Sequence, residues 1–288
     1  MKSKNRYIIY AIIAIICVIA IGAGVYYQIA SDRPEQPTPA NEVEPTPIVD
    51  PDDPDALVEE FNSLLINRLN SQGNDSTGVK KYPGLEDQDI VFTQYSISEE
   101  KKDKYNVNIN LPTVNIDGEV AAEFNNTTNK LFSNKVAEVL FNSNKYTIYK
   151  IDYGAYLNGN ILSVIIKSTL KEPDSAERVI VQTYNYNIAT GKALTLNDIL
   201  EEKQITQRTV NKKIEKQVKE AAKRTEAKAS ELASQGINVY ERDINSAIYV
   251  TDNVNDFFLG KDGQLYIVYA YGNTSNTSEM DVIKISEE

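Results

Sequence analysis

The side chains best placed to do chemistry in this 288-residue chain are cations. Residues 203–228 hold nine Lys/Arg (Lys203, Arg208, Lys212, Lys213, Lys216, Lys219, Lys223, Arg224, Lys228) against three Glu: Glu215, Glu220 and Glu226. Helical spacing puts Lys212, Lys216, Lys219 and Lys223 on one side and Val210, Ile214, Val218 and Ala221 in an apolar stripe. Such a ridge can hold phosphate-rich polymer, or the acidic patch of a partner. The plainer reading is a solvated face, paired within the helix and with the acidic remainder of the chain.

Tyrosine supplies the other candidates: there are 18, and no tryptophan. Tyr184 and Tyr186 share one strand face, Tyr149 and Tyr153 (with Ile151) a second, Tyr269 and Tyr271 a third. Tyrosine platforms stack on sugars, but Tyr is also a good strand residue that buries its ring and wets its hydroxyl. The candidate ligand-binding set is Lys212, Lys216, Lys219, Lys223, Tyr184 and Tyr186.

Several chemistries are excluded or weak. Histidine is absent, which removes Ser-His-Asp and Cys-His devices, His-ligated zinc and the usual pH switch near neutrality. Glycosidase work needs two carboxylates about 5–10 Å apart, and no spacing singles out a pair from Asp152, Asp174, Glu177 and Asp198. Asp252-Asn253-Val254-Asn255-Asp256 lacks the alternating ligands and the Gly of an EF-hand loop. No catalytic residue, metal or cofactor is expected.

Net charge is −11, and beyond residue 30 the balance is 27 Lys/Arg against 41 Asp/Glu, or −14. A general nucleic-acid binder needs a basic footprint, so nucleic acid is not an expected partner.

The elements that must position these residues begin with Tyr7–Tyr27, a run without charge or proline, preceded by Lys2, Lys4 and Arg6. At 1.5 Å per residue it makes a helix of about 31 Å, one hydrocarbon core. The basic flank predicts a cytoplasmic stub (residues 1–6), an anchor over 7–30 and a domain outside the cell membrane. A signal peptide has an apolar stretch of roughly 7–15 residues and a small-residue cleavage site. The longer run here, ending in Tyr26-Tyr27 without such a site, reads as an uncleaved anchor. Cys17, the only cysteine, lies in this run, so the domain outside has no disulfide.

Residues 31–54 carry seven of the ten prolines amid acidic residues and read as an extended stalk. A helix is predicted over Asp55–Asn70 with Asp55 as N-cap, then a loop through Gly73, Asn74, Asp75 and Gly78. The main domain runs over 79–288. Residues 89–97 and 104–111 read as strands; Tyr105–Leu111 alternates apolar and polar strictly, and Pro112 stops it. Asp117–Phe141 reads as an amphipathic helix through Val120, Phe124, Leu131, Val136, Val139 and Leu140. Strands follow over Tyr146–Tyr156, Ile161–Leu170 and Val179–Ile188, with a hairpin at Asn158-Gly159. Leu194–Leu200 leads into one long helical stretch to Gln235, stopped by Gly236. Phe257–Leu259, Leu265–Tyr271 and Val282–Ile285 close the chain. Tight turns demand antiparallel pairing, so the class is α+β: a mostly antiparallel sheet with helices on one face, after a single N-terminal transmembrane helix.

The order of segments resembles the paired extracytoplasmic domains of unknown function in the lysozyme-sensing anti-sigma-V factor and in peptidoglycan deacetylases of Gram-positive bacteria. The first half (about 82–170) is carried by Tyr105–Pro112, the Asp117–Phe141 helix and Ile161–Val164. The second (about 177–286) is carried by Tyr186–Lys192, Leu194–Leu200 and Phe257–Tyr269. The Gly-Gly-Ala-His segment common between the halves is replaced here by Leu170–Arg178, without Gly or His. The resemblance implies a shared fold and location, and carries over neither lysozyme sensing nor deacetylation. The expectation is a membrane-anchored, non-catalytic binding or sensor module of the cell envelope, anchored by residues 7–27, with a wall glycan or envelope protein as partner. The alternative is a peptidoglycan-modifying enzyme or an accessory subunit of one.

Overall fold

The computed structural model describes residues 52–71, 78–271 and 275–285. The stub and the apolar run of residues 1–30, the stalk up to Pro51, and Gly73, Asn74 and Asp75 lie outside the described residues. Among the described residues no helix is long and apolar enough to cross a membrane.

Helix α1 is Pro54–Ser63. Its N-cap is Asp53 rather than Asp55, because Pro54 takes the first helical position, where a missing N–H costs nothing. The Asp53 carboxylate accepts from the amides of Asp55 and Ala56 at 2.9 and 3.1 Å. The helix stops at Ser63 and not at Asn70: Asn67 turns to φ 55°, and Leu69–Ser71 becomes strand β1. Parallel pairing with a longer strand overrides local helical spacing here.

A seven-stranded sheet contains β1, β2 (Val91–Lys101), β3 (Tyr105–Val114), β4 (Thr147–Asn158), β5 (Ile161–Lys171), β6 (Arg178–Asn187) and β7 (Lys192–Ala193). The order is β2-β3-β4-β5-β6-β7, with β1 beside β4. It is mixed: β3 and β1 both run parallel to β4, β3 against Thr147–Ile151 and β1 against Ala155–Leu157. Asn67 closes the gap between them. Its amide donates to the Tyr153 carbonyl (2.8 Å), and its side-chain oxygen accepts from the Tyr153 amide (2.9 Å). Pro112 does not stop β3. The pairing with β4 has already ended at Ile109, and β2 bulges between Thr93 and Tyr95 opposite it, so no ladder bond is lost.

The β3–β4 crossover is helical: α2 (Glu119–Thr128), a π-helical turn (Asn129–Ser133) and α3 (Asn134–Asn142). The wider turn shifts the inward face by one residue. Phe132 is therefore buried and Leu131, expected in the core, is exposed.

After β7 come α4 (Leu196–Glu202) and α5 (Gln207–Ser234), two helices where one was expected. Gln204 at φ 56° breaks the stretch, and Thr206 caps the new helix. Gly236 at φ 74° ends it as expected, with the Ile237 amide reaching back to the Leu232 carbonyl.

A second sheet, β10-β9-β8, is built from β8 (Phe257–Leu259), β9 (Leu265–Tyr271) and β10 (Glu279–Ile285). Alternate residues face opposite ways. Phe258, Tyr266, Val268 and Val282 pack with Tyr156 and Ile165 of the large sheet and with Leu57 and Phe61 of α1. Leu265, Ile267 and Ile283 pack with Val210, Ile214 and Val218 of α5. The other face of the large sheet buries Phe124, Phe132, Val136 and Val139 of the crossover helices. The α+β class holds, but the helices do not share one face: a second sheet fills the side opposite α2 and α3. The two halves expected from the sequence share the large sheet, since β6 pairs with β5 from Arg178 to Asn187.

Candidate ligand-binding surface

Helix α5 divides its surface as the sequence spacing requires. Val210, Ile214, Gln217, Val218 and Ala221 are buried, while Lys212, Lys216, Lys219 and Lys223 are exposed. Arg208 is also exposed and lies near Lys212 on the helix wheel. Lys219 pairs with Glu215 one turn earlier, and Lys216 with Asp52 at 3.2 Å. Lys212 and Lys223 make no ion pair with the described residues.

One flank of this ridge is taken by the chain's own acids. Asp52 bridges Lys213 (2.5 Å) and Lys216, and its carbonyl accepts from the buried Gln217 side chain at 2.8 Å. Asp53 and Asp55 grip Arg224 at 2.5 and 2.9 Å. The Lys213 hydrogen bond holds the Asp52 carboxyl below its usual range, and the Arg224 hydrogen bond takes Asp53 down to about 2. Arg224 is raised in turn, first by Asp53. Pairs as open to water as these are screened and contribute little. Their effect is positional: the last residues before α1 are clipped to α5.

Beside this clip, a cleft of about 110 Å³ opens between α1, α5 and β10, lined by Asp55, Arg224, Lys228, Arg242, Glu279 and Asp281 among others. Arg242 is only 2% exposed. It donates to both oxygens of buried Asp281, to Thr225 Oγ1 at 2.7 Å, and to Glu279 at 3.5 Å. Its guanidinium also lies 5.4 Å from the Tyr271 ring centroid. Burial alone would lower the Arg242 pKa, but Asp281 outweighs it and the group stays charged. The Tyr271 hydroxyl donates to Asp281 at 3.0 Å and accepts from Tyr249 at 2.9 Å. Burial, then the Asp281 charge, raise the Tyr271 hydroxyl far above its ordinary range. Sequence reading missed this cluster. The one available signal was Asp281, which alternates in register with the apolar Ile283 and Ile285, where a carboxylate demands a partner.

Tyr184 and Tyr186 do not join the lysines. They are 8% and 5% exposed, stacked on each other at 5.7 Å, with Phe124 of α2 over Tyr184 at 4.5 Å. Of the two readings of these candidates, the structure gives core rather than a sugar platform, because α2 covers that face of β6. Burial drives the Tyr184 hydroxyl well above its usual range. Tyr149, Tyr153, Tyr269 and Tyr271 are buried as well.

The scattered carboxylates take structural posts. Asp152 accepts from Asn67 (2.8 Å) and Asn110 (3.2 Å), Asp174 pairs with Lys145 at the surface, and Asp198 completes a capping box with Thr195. Thr195 holds the Asp198 carboxyl low. Asp252 accepts from Gln207 at 3.0 Å. Among the described residues no group of three His, Cys, Asp or Glu side chains could hold a metal ion.

No protein-family model matches the chain. No curated protein matches it either. Solved structures do. A member of the DUF3298 family from Bacteroides fragilis is 12% identical, with a TM-score of 0.31, over 66% of this chain and 88% of that one. A DUF3298 family protein from Pseudomonas aeruginosa is 13% identical, with a TM-score of 0.33, over 67% of this chain and 88% of that one. Both are proteins of a domain of unknown function, and likeness at this level assigns this chain neither a family nor an activity.

Proposed function

We propose that the protein is a membrane-anchored, extracytoplasmic binding or sensor module of the bacterial cell envelope, without catalysis, that recognises a wall glycan or an envelope protein. The reading rests on the outward ridge of Arg208, Lys212, Lys219 and Lys223 on α5, a basic surface on an acidic domain. Arg224 and Lys213 are spent on the chain's own acids and Lys219 pairs with Glu215, whereas Arg208, Lys212 and Lys223 face solvent without an ion pair among the described residues. The apolar run at residues 7–27, the Pro-rich stalk and the sequence resemblance to envelope domain pairs support the location. The absence of histidine supports binding over turnover.

The test incubates the full-length chain, in detergent, with purified cell-wall material. Salt-sensitive retention with unchanged muropeptide masses is expected, and K212E/K219E/K223E should abolish it. A shift in muropeptide masses would replace this reading with a wall-modifying enzyme. Full retention of the triple variant would remove the ridge from it.

A further inference from the structure

Resting on the reading of α5 as the recognition surface, we infer that its ligand is an acidic, amphipathic segment of a partner protein rather than a bare polyanion. The observation is a group of exposed aliphatic side chains in the loop tied to the helix that carries the lysine ridge. Eight large hydrophobic side chains are exposed among the described residues, and four of them, Ile237, Ile244, Ile248 and Val250, fall in the single loop that follows α5. Scattered exposed aliphatics need no explanation, but a concentration beside a charged ridge does.

The loop is bound to one flank of the helix. Asn211 of α5 accepts from the Thr251 amide (3.0 Å) and hydroxyl (2.5 Å), which sets Ile248 and Val250 beside the N-terminal half. Arg242 ties the middle of the loop back to Thr225 at 2.7 Å. At the C-terminal end, Ile237 and Tyr240 form a hollow of about 470 Å³ with Ala229 and Ala233 of α5, its other wall polar with Asn238, Glu241 and Asn276. On a helical wheel Asn211, Thr225 and Ala229 share one flank, and the ridge of Arg208, Lys212, Lys219 and Lys223 lies beyond a boundary that holds Glu215 and Glu226. A cationic ridge and a loop bearing exposed aliphatic side chains thus lie on neighbouring flanks of a helix about 40 Å long.

Charge complementarity selects the occupant's acidic side. The exposed aliphatic side chains select its second face, since a polyphosphate or acidic glycan has nothing apolar to place there. A partner helix or strand with alternating acidic and aliphatic residues satisfies both. The acidic balance of the rest of the domain repels an anionic lipid surface.

The experiment places the full-length chain in zwitterionic nanodiscs, with empty discs as reference. Three probes are compared: a synthetic helix with Glu on one face and Leu on the other, polyglutamate of equal charge, and polyglycerol phosphate. The amphipathic peptide should bind at least tenfold more tightly than either polymer. I248S/V250S should cost it tenfold and leave the polymers unchanged, while K212Q/K219Q/K223Q should weaken all three. Circular dichroism checks that each variant is folded. Equal binding of peptide and polymers, an unaffected I248S/V250S variant, or no peptide binding would each overturn the inference. Wall retention that survives alongside such a result confines the failure to the ligand class. Loss of both removes the reading of α5 as a recognition surface.

Discussion

Arg242 and Asp281 meet as a two-bond fork, Nε to Oδ2 at 2.9 Å and Nη2 to Oδ1 at 2.8 Å, at 2% and 4% exposure. The pair joins the loop after α5 to β10 with almost no water between them. Removing one partner strands the other's charge, so R242A or D281A should each cost about 3–5 kcal/mol in urea denaturation. The double variant R242M/D281L should cost clearly less than the two single changes together. Additive costs would show that the two act independently.

Asn185 supports a prediction about the seam between the sheets. Its side chain accepts from Ser163 Oγ at 2.6 Å and donates to the Phe257 carbonyl at 2.7 Å, while Ser163 Oγ accepts from the Leu259 amide at 3.0 Å. Side chains of β5 and β6 thereby satisfy the outer edge of β8. N185A leaves buried groups unsatisfied and should cost about 1–3 kcal/mol. Amide exchange at Leu259 should accelerate more than at Ile165 if the seam opens first.

Asp256 carries a pH dependence. Burial pushes its carboxyl up to about 6, against a partial lowering by the Thr183 hydroxyl. With the folded value above the unfolded one, its contribution is most favourable in acid and is lost as pH rises from about 4 to about 6. D256N should therefore stabilise the protein at pH 7 by about 1–3 kcal/mol, and the gain should vanish below pH 4. A constant gain across that range would assign it to packing.

Asp53 runs the other way. Its carboxyl sits at about 2, held first by Arg224 and then by the Ala56 amide. The folded value lies below the unfolded one, so this contribution is present above about pH 4 and is lost as pH falls towards 2. D53N keeps a capping acceptor but loses the charge. Its melting temperature should lie below wild type at pH 7 and converge with it near pH 2.

Gly154 sits where β4 passes the carbonyl of Leu64. A β-carbon there would overlap that oxygen and come within 3.1 Å of the Tyr156 ring. The same carbonyl accepts the Tyr156 hydroxyl at 2.6 Å, so it has little freedom to retreat. G154A should destabilise by about 1–3 kcal/mol in thermal or urea unfolding.

What the chain revealed before its structure was known divides along a physical line. The lysine ridge was legible because a 3.6-residue period alone decides which α5 positions look outward. The strand at Tyr105–Leu111 was legible because strict alternation has one reading. Tyr184 and Tyr186 kept two readings for the same reason: alternation says that two residues share a face, not whether another element covers it. Arg242 and Asp281 lie 39 residues apart, and no local pattern joins them. The end of α1 at Ser63 was hidden because β1 exists only where β4 offers it an edge. The inward turn from Leu131 to Phe132 depends on one wide helical turn that composition does not announce.

Phe61 is completely buried against Phe258 and Val282, and Glu60 on the same helix pairs with Lys284 across 224 positions of sequence. The earliest described segment thus docks on the last strand. Until β10 has been synthesised, α1 is covered only in part, by Tyr156 and Ile165 of the large sheet and by β8 and β9. Contacts of such long sequence separation slow folding. A nascent copy emerging vectorially therefore completes the pocket around Leu57 and Phe61 only when β10 has arrived. Removing β10 should loosen α1 while the Asp52 and Asp53 pairs still clip its start to α5.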